Sequence, residues 1–187
     1  MSGAIITPRL ELHHLRPADY EALAIDRRDQ RPWSECGITN PYRCLEEPGS
    51  PFHYRLPLLR RDAALAPLLL RVAVLREERI IIGHAGFHGA IDADGMIEIG
   101  FSVVPEYRDQ GYGKEILHGM WQWVCASSSV RTLRYTVSPD NLPSQHIVRA
   151  LGFTHRGVQI DEEDGPEDIY EMSVEEYRQR HPSLLCP

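Results

Sequence analysis

The sequence predicts an α/β fold, a single domain with a mixed central β-sheet flanked by helices. Short β-rich runs alternate with stretches of helical periodicity, in the order β-α-loop-β-β-β-α-β-α-β-β. The chain has 187 residues, of which 42% are hydrophobic and 25% charged, as is usual for one globular domain. No apolar run is long enough to cross a membrane. We therefore expect one domain over residues 1–187.

The N-terminal part of the chain predicts a strand, a helix and then a long loop. Leu10–Pro17 alternates as a strand does, and Ala18–Asp29 has the apolar spacing of a helix. Residues 31–57 contain five prolines together with several aromatic side chains. A loop of this length in a compact domain is usually disordered or functional, and its aromatic residues favour an ordered binding loop. A short helical turn is expected after it, within residues 59–69 and before Pro67.

The rest of the chain predicts three strands, a helix, a strand, a second helix and a closing pair of strands. Their expected bounds are Leu68–Glu78, Arg79–Ile91, Met96–Val104, Gly111–Ala126, Arg131–Val137, Leu142–Gly152, Phe153–Gln159 and Asp168–Val174. The third strand alternates most clearly, since Glu98, Gly100 and Ser102 share the face opposite its apolar residues. The last residues, 175–187, are expected to form a tail with at most one helical turn.

The charge and the cysteine content exclude several classes of protein. A formal net charge of −7 argues against general nucleic-acid binding, which depends on neutralising phosphates, and weakly favours a cationic substrate. The N-terminus lacks the basic start and apolar core of a secretory signal. The four cysteines form no CxxC pair, so we expect no zinc site, no disulfide framework and a cytoplasmic location. His84 and His88 fall on one face of a predicted strand, but without further ligands they predict no metal site.

The segment Arg108-Asp109-Gln110-Gly111-Tyr112-Gly113-Lys114 has the features of an anion-binding turn. The helix that follows leaves its first N–H groups unpaired, and its dipole makes that end partly positive. The glycines would let a phosphate approach the backbone, and Arg108 and Lys114 add positive charge. Neither a Walker P-loop nor a Rossmann glycine pattern is present. An ordinary strand-to-helix turn explains the same residues, so the turn by itself leaves both interpretations open.

Three motifs in a fixed order indicate a family. The strand "IEIGFSVVPEYR", the turn "RDQGYG" and the later segment "NLPSQHIVRALGF" follow one another along the chain. Together they resemble the GCN5-related N-acetyltransferase (GNAT) family, in the branch of the ribosomal-protein alanine N-acetyltransferases. The resemblance covers most of the chain, and residues 31–57 are its least typical part. It implies a single GNAT-type domain that uses acetyl-coenzyme A and no metal.

The resemblance assigns the contacts with acetyl-coenzyme A to two segments and one further residue. The expected cofactor-binding residues are Phe101, Ser102, Val103, Arg108, Asp109, Gln110, Gly111, Tyr112, Gly113, Lys114 and Asn141. In the family the strand backbone pairs with the pantetheine arm, and the turn binds the pyrophosphate. Asn141 would contact pantetheine or order the turn after its strand, and Tyr112 is also compatible with a plain surface aromatic.

The family implies acetyl transfer to a primary amine, a peptide N-terminus or a small amine, by direct attack in a ternary complex. The amine must lose a proton to attack, and the departing thiolate can take one up. Glu98 is the candidate base, directly or through water, and the alternative is a glutamate that pairs with an arginine or faces solvent. Ser144 is the candidate acid, and the alternative is a hydroxyl that caps the helix start.

The choice of acceptor is expected from residues 20–57 and 160–168. Acidic side chains there, Glu35, Glu46, Glu47 and residues 161–164, would attract a cation, and Trp33, Tyr42, Phe52 and Tyr54 could form an aromatic wall. A noncatalytic acyl-coenzyme A sensor with the same fold is the alternative function, and a nucleotide at the turn is a weaker one. We expect no nucleic acid or membrane partner. A monomer and a homodimer, and acetyl and longer acyl groups, all remain open.

Overall fold

The computed structural model describes residues 3–47, 50–161 and 165–182. The chain divides into two compact units, which are described in turn. The first unit contains residues 1–90 and 101–120, and the second contains residues 91–100 and 121–187. The expectation of one domain over residues 1–187 stays a prediction.

From residue 71 to residue 173 the described residues form strands and helices in the order that the sequence predicts. The strands are β1 (Ile5–Ile6), β2 (Leu10–His14), β3 (Arg71–Leu75), β4 (Ile80–Phe87), β5 (Met96–Val103), β6 (Thr132–Val137), β7 (Thr154–Asp161) and β8 (Gly165–Ser173). The helices are α1 (Pro17–Ile25), α2 (Arg31–Ser34), α3 (Phe52–Arg61), α4 (Ala66–Leu69), α5 (Tyr112–Val124), α6 (Leu142–Ala150) and α7 (Val174–Arg180). The strand order is β1-β2-β3-β4-β5-β6-β8-β7 in a mixed sheet, which confirms the α/β class.

Antiparallel strands form the sheet of the first unit. Strand β2 pairs with β3 along its whole length, from Leu10 opposite Leu75 to His14 opposite Arg71. Strand β3 pairs with β4, with an irregularity between Ala73 and Val74. Helices α1, α3 and α4 bury apolar side chains in one cluster with residues of β3 and β4, and burial of this kind is the main stabilising contribution in a small domain.

The prediction of a loop over residues 31–57 is wrong at both ends. Helix α2 occupies the first residues, and helix α3, Phe52–Arg61, occupies the last residues and extends beyond them. Pro57 lies inside α3 and removes one helical hydrogen bond. The helix forms in spite of this because Phe52 and Leu59 are 2% and 4% exposed, and their burial outweighs the lost bond.

Parallel and antiparallel strands are combined in the second unit. Strand β5 pairs in parallel with β6, β6 pairs with β8, and β8 pairs with β7. Trp121 of α5 stacks on Phe153 with ring centres 4.5 Å apart. The expected tail is ordered further than predicted, since Ser173 caps helix α7 by accepting from the Glu176 amide. Residues 183–187 of that tail, and residues 162–164 of the acidic hairpin, lie outside the described residues.

Strand β5 changes partner along its length. Its pairing with β6 runs from Met96–Thr132 to Ile99–Tyr135 and ends there, before β5 itself ends at Val103. In the first unit the end of β5 lies against β4, where the Val104 amide donates to the Ile82 carbonyl at 2.9 Å. A Cβ atom on Gly83 would lie 2.2 Å from the Ser102 carbonyl oxygen. The close approach of these two strands therefore requires glycine at position 83.

Replacing Gly83 by alanine is expected to destabilise the protein by about 1 to 3 kcal/mol, the usual cost of overpacking a filled site. Urea unfolding monitored by circular dichroism measures this change. Gly89→Ala is the matched control, because a Cβ atom there would have no atom within 4 Å. Equal stability of the two variants would contradict the tight packing of β4 against β5.

Candidate functional site

The predicted anion-binding turn lies in the first unit, between the end of β5 and helix α5. Gly111 has a φ of +82°, a left-handed conformation that favours glycine, and its carbonyl accepts the first helical hydrogen bond from the Glu115 amide at 3.1 Å. The amides of Tyr112, Gly113 and Lys114 precede that bond, so the helix gives them no partner. Together with the helix dipole they make this end of α5 suited to an anion.

Arg108 and Gln110 hold the turn against the residues before it. The Arg108 Nε donates to the Val103 carbonyl at 3.0 Å, and the Gln110 side chain donates to the Glu106 carbonyl at 3.1 Å. The Val103 carbonyl was expected to contact pantetheine, but an arginine of the turn already uses it. The exposed Arg108 and Lys114 side chains leave positive charge at the surface of the turn.

Arg9 also supports this turn. The sequence patterns did not identify Arg9 as a residue of the site. Its Nε donates to Glu115 Oε2 at 2.7 Å and its Nη1 donates to the Gln110 carbonyl at 3.0 Å. Its guanidinium carbon lies 4.0 Å from the centre of the Tyr112 ring, within the range of a cation–π contact. Arg9 therefore adds a third positive charge at the turn, from a position just before β2.

Glu115 anchors the first turn of α5. Its Oε1 accepts hydrogen bonds from the Thr7 hydroxyl at 2.6 Å and from the Arg9 amide at 2.8 Å. Burial acts to raise the pKa of Glu115, but the hydrogen bonds from Thr7 and Arg9 outweigh it and hold the pKa below its ordinary value. The carboxylate therefore stays charged at neutral pH and fixes the segment before β2 to the helix.

Tyr112 is not a surface residue, which corrects one interpretation of the sequence. It is 8% exposed, and its ring contacts the ring of Tyr107 edge-on, with the centres 5.9 Å apart. The ring lies below the Arg9 guanidinium, so Tyr112 supports the turn from beneath. Its backbone amide is the part that remains suited to contact an anion.

Glu98 lies in the second unit, on the half of β5 that pairs with β6. Its Oε1 accepts a hydrogen bond from the Thr136 hydroxyl at 2.6 Å, which is short and typical of a charged acceptor. Arg134, opposite Glu98 in the strand register, donates from Nε and Nη2 to Glu171 Oε1 at 2.8 and 2.6 Å. The Thr136 hydroxyl therefore orients the Glu98 carboxylate. The role of Glu98 as a base stays a prediction.

Ser144 and Asn141 lie at the start of α6. Asn141 caps the helix, since its Oδ1 accepts from the Ser144 amide at 3.2 Å, so the ordering role predicted for Asn141 is present. The Ser144 side chain does not cap the helix but hydrogen-bonds the Tyr135 phenol. Burial raises the pKa of Tyr135 to about 12, with the Ser144 hydrogen bond acting in the opposite direction. Tyr135 is thus a protonated phenol at neutral pH.

The two catalytic candidates contact neighbouring residues of β6. Glu98 bonds Thr136, whereas Ser144 bonds Tyr135. Successive side chains of a strand point to opposite faces, so the two candidates approach β6 from opposite sides. The structure does not bring Glu98 and Ser144 together on one face.

The predicted aromatic wall is largely part of the core of the first unit. Trp33 is 4% exposed and Phe52 is 2% exposed, because α2 and α3 pack these rings against α1. Tyr42 contacts Tyr107 edge-on at 5.8 Å. Trp33 also lines a cavity of about 160 Å³ together with Arg16, Asp19 and Cys36.

Within the described residues, no three histidine, cysteine or acidic side chains come close enough to hold a metal ion. The described cysteines are free thiols, and Cys186 lies outside the described residues. No helix in this part of the chain has both the length and the apolar character that a membrane span requires. His84 is buried, and His88, just past the end of β4, is exposed.

The fold and the turn together define the class of protein. Residues 9–154 match the family described as the acetyltransferase (GNAT) domain. This match covers most of the chain, so the protein belongs to the GNAT acetyltransferase family. The family resemblance deduced from the three sequence motifs is therefore confirmed.

The sequence identity between this chain and individual relatives is modest. The chain is 34% identical over 82 residues to the uncharacterized N-acetyltransferase YjdG of Bacillus subtilis, an alignment that spans 44% of this chain and 49% of YjdG. The chain thus spans about half the length of this curated relative. A ribosomal-protein-S5-alanine acetyltransferase from Vibrio fischeri has a similar fold, with a TM-score of 0.63 at 15% identity, covering 93% of this chain and 98% of that one.

A second solved structure of similar fold is RimL, a ribosomal L7/L12 alpha-N-protein acetyltransferase in complex with coenzyme A. Its TM-score is 0.60 at 16% identity, covering 91% of this chain and 97% of that one. Identities this low show the common fold alone.

Glu115→Gln is expected to lower the free energy of unfolding by about 1 to 3 kcal/mol at pH 7, because it removes a charged acceptor from the Thr7 and Arg9 hydrogen bonds. The folded pKa is depressed, so the contribution is present above the ordinary value of 4.5 and is lost as the pH falls below it. Urea unfolding at pH 7 and at pH 3 measures the difference. The exposed Glu77→Gln is the control, and a loss that does not shrink at low pH would contradict this assignment.

Proposed function

We propose that this protein is an acetyl-coenzyme A-dependent N-acetyltransferase that transfers an acetyl group to a primary amine. The observation that carries the proposal is the turn at residues 108–113, where Gly111 is left-handed before the N-terminus of α5 and Arg9 lies over the ring of Tyr112. Membership of the GNAT family supports the same activity. The coenzyme A complex of RimL supports the choice of ligand.

The residues of the first unit fit the cofactor. Acetyl-coenzyme A, when bound, supplies the acetyl group as an activated thioester. The amides of Tyr112, Gly113 and Lys114 and the side chains of Arg9 and Arg108 would bind its pyrophosphate. The backbone of β5 after Ile99, which is no longer paired with β6, would bind the pantetheine arm. The N-terminus of α5 and the two arginine side chains would thus contact the negatively charged pyrophosphate. The edge of β5 would contact the amide groups of pantetheine.

Glu98 is the proposed general base. Its carboxylate, oriented by the Thr136 hydroxyl, would accept the proton of the attacking amine, either directly or through a water molecule. Ser144, hydrogen-bonded to the Tyr135 phenol, is the proposed proton donor to the leaving thiolate. Glu98 and Ser144 contact opposite sides of β6, and both proton transfers must serve the same acetyl carbon, so Glu98 would act through a water molecule. Direct attack in a ternary complex needs no nucleophilic side chain.

The acceptor is proposed to be a peptide N-terminus or a small amine. Of the acidic residues expected to attract a cation, Glu35 lies 3.4 Å from the Arg16 guanidinium and Glu47 lies 3.9 Å from His84. The Arg16 contact weakens the argument for a purely cationic acceptor, since a positive side chain of the protein already lies beside the Glu35 carboxylate. A monomer or homodimer in the cytoplasm is proposed as the working form.

Thermal unfolding with acetyl-coenzyme A, coenzyme A or ATP tests the ligand. The coenzyme A pair is expected to stabilise the protein by about 2.7 kcal/mol at a hundredfold excess over the dissociation constant, and ATP is not. Arg9→Met should reduce this stabilisation, because the variant loses a cation at the turn, whereas the control Arg28→Met should not. The absence of a shift with coenzyme A and acetyl-coenzyme A would contradict the proposed ligand.

Glu98→Gln tests the base. Turnover at pH 7 is expected to fall by about 100-fold or more, since general-base catalysis commonly contributes that factor. The loss should be smaller at pH 9 to 10, where more of the amine is already neutral, and stabilisation by coenzyme A should not change. The pH–rate profile measures this effect. An unchanged profile would exclude Glu98 as the base, and coenzyme A binding without any turnover in the wild type would favour the sensor function.

A further inference from the structure

A row of alternating charges crosses the sheet of the second unit on the face that carries Glu98. Glu98 of β5 lies opposite Arg134 of β6, and Arg134 lies opposite Glu171 of β8 in the strand register. Residues opposite each other on neighbouring strands share a face of the sheet. On β7, Arg156 Nε lies 3.9 Å from Glu171 Oε2. The mechanism proposed above uses Glu98 and gives the other three residues no role.

Arg134 lies between two carboxylates in the register and is bonded to the one on β8. Its Nε and Nη2 both donate to Glu171 Oε1, at 2.8 and 2.6 Å. The Glu98 carboxylate accepts a hydrogen bond from the Thr136 hydroxyl. The arginine and the candidate base therefore have different partners, although they are neighbours across β5 and β6.

The carboxylate to which Arg134 bonds determines how strong a base Glu98 is. Neighbouring strands lie about 4.8 Å apart, so the Glu98 carboxylate is within the length of an arginine side chain. A guanidinium that donated to Glu98 would stabilise its charged form and weaken it as a proton acceptor. Glu171 competes for the same guanidinium through two charged hydrogen bonds, which are among the stronger hydrogen bonds in proteins.

The surroundings of Glu171 favour its bond with Arg134. The side chains of Arg134 and Glu171 are 28% and 20% exposed, so solvent shields the pair only in part. Opposite charges attract more strongly in such a place than in bulk water. The second oxygen of Glu171 lies near Arg156, so positive side chains of β6 and β7 lie on its two sides.

We propose that Glu171 is a positioning residue for the transfer reaction: it holds Arg134 on the β8 side and so leaves the Glu98 carboxylate available as the base. This inference rests on the proposed function, since it needs Glu98 to accept the proton of the amine. Glu171 acts through Arg134 and is not itself a catalytic residue. The row of charges is thus part of the site, beyond its contribution to the stability of the sheet.

Glu171→Gln tests the inference. The variant keeps the shape of the side chain but loses its negative charge, so Arg134 is expected to turn to the remaining carboxylate, Glu98. In consequence kcat at pH 7 should fall by about tenfold or more, toward the loss expected for Glu98→Gln. KM for the amine and stabilisation by coenzyme A should not change. The exposed Glu175→Gln, in the first turn of α7, is the control and should keep the wild-type kcat. An unchanged kcat in Glu171→Gln would overturn the inference.

A second replacement separates this effect from damage to the fold. Adding Arg134→Met to Glu171→Gln removes the cation that would occupy Glu98, so kcat should return close to the wild-type value. Two residues that act through one contact give effects that do not add, which a double-mutant cycle measures. A folding defect caused by Glu171→Gln would not be reversed in this way. A kcat of the double variant at or below that of Glu171→Gln would overturn the inference.

A crystal structure of Glu171→Gln separates this inference from the proposed catalysis, because it needs no turnover. The Arg134 guanidinium should lie within hydrogen-bonding distance of a Glu98 carboxylate oxygen in the variant, and on Glu171 in the wild type. An arginine that remains on residue 171 in the variant would overturn the inference even if the enzyme proves active. The turnover of the wild type reports separately on the proposed function.

Discussion

The carboxylate of Glu115 is the interaction on which the geometry of the turn depends. A negative side chain in the first turn of a helix is favourable by itself, but it would also repel a phosphate at the same end. Arg9 resolves this conflict, because it bonds both carboxylate oxygens and places its guanidinium over Tyr112. The positive end of α5 is thereby kept available to an anion, while Thr7 and Arg9 fix the segment before β2 to the helix.

Strand β5 has two types of neighbour along its length. Its first half pairs with β6, and there the Thr136 hydroxyl orients Glu98. Its last residues approach β4 so closely that position 83 requires glycine. A strand held on one side by β4 and released on the other after Ile99 has backbone groups to offer a ligand. The same alternation that buries its apolar residues sets the face on which Glu98 lies.

Local patterns predicted most of the fold and the turn, and long-range contacts account for what they missed. The alternation of β5 and the glycines before α5 are signals within a few residues. Arg9 has no such signal, because its partner Glu115 lies far along the chain. The prolines of residues 31–57 predicted a loop, whereas burial of Phe52 favoured a helix. The contact between Ser144 and Tyr135 likewise depends on how α6 packs on β6, which no local pattern contains.

Net charge and local charge lead to different expectations about the acceptor. The chain carries a formal charge of −7, which by itself favours cationic partners through long-range attraction. Solvent and salt screen that attraction within about 10 Å, whereas a buried guanidinium acts on its neighbours with little screening. The net charge therefore acts on an acceptor only at short range and does not by itself select among amines.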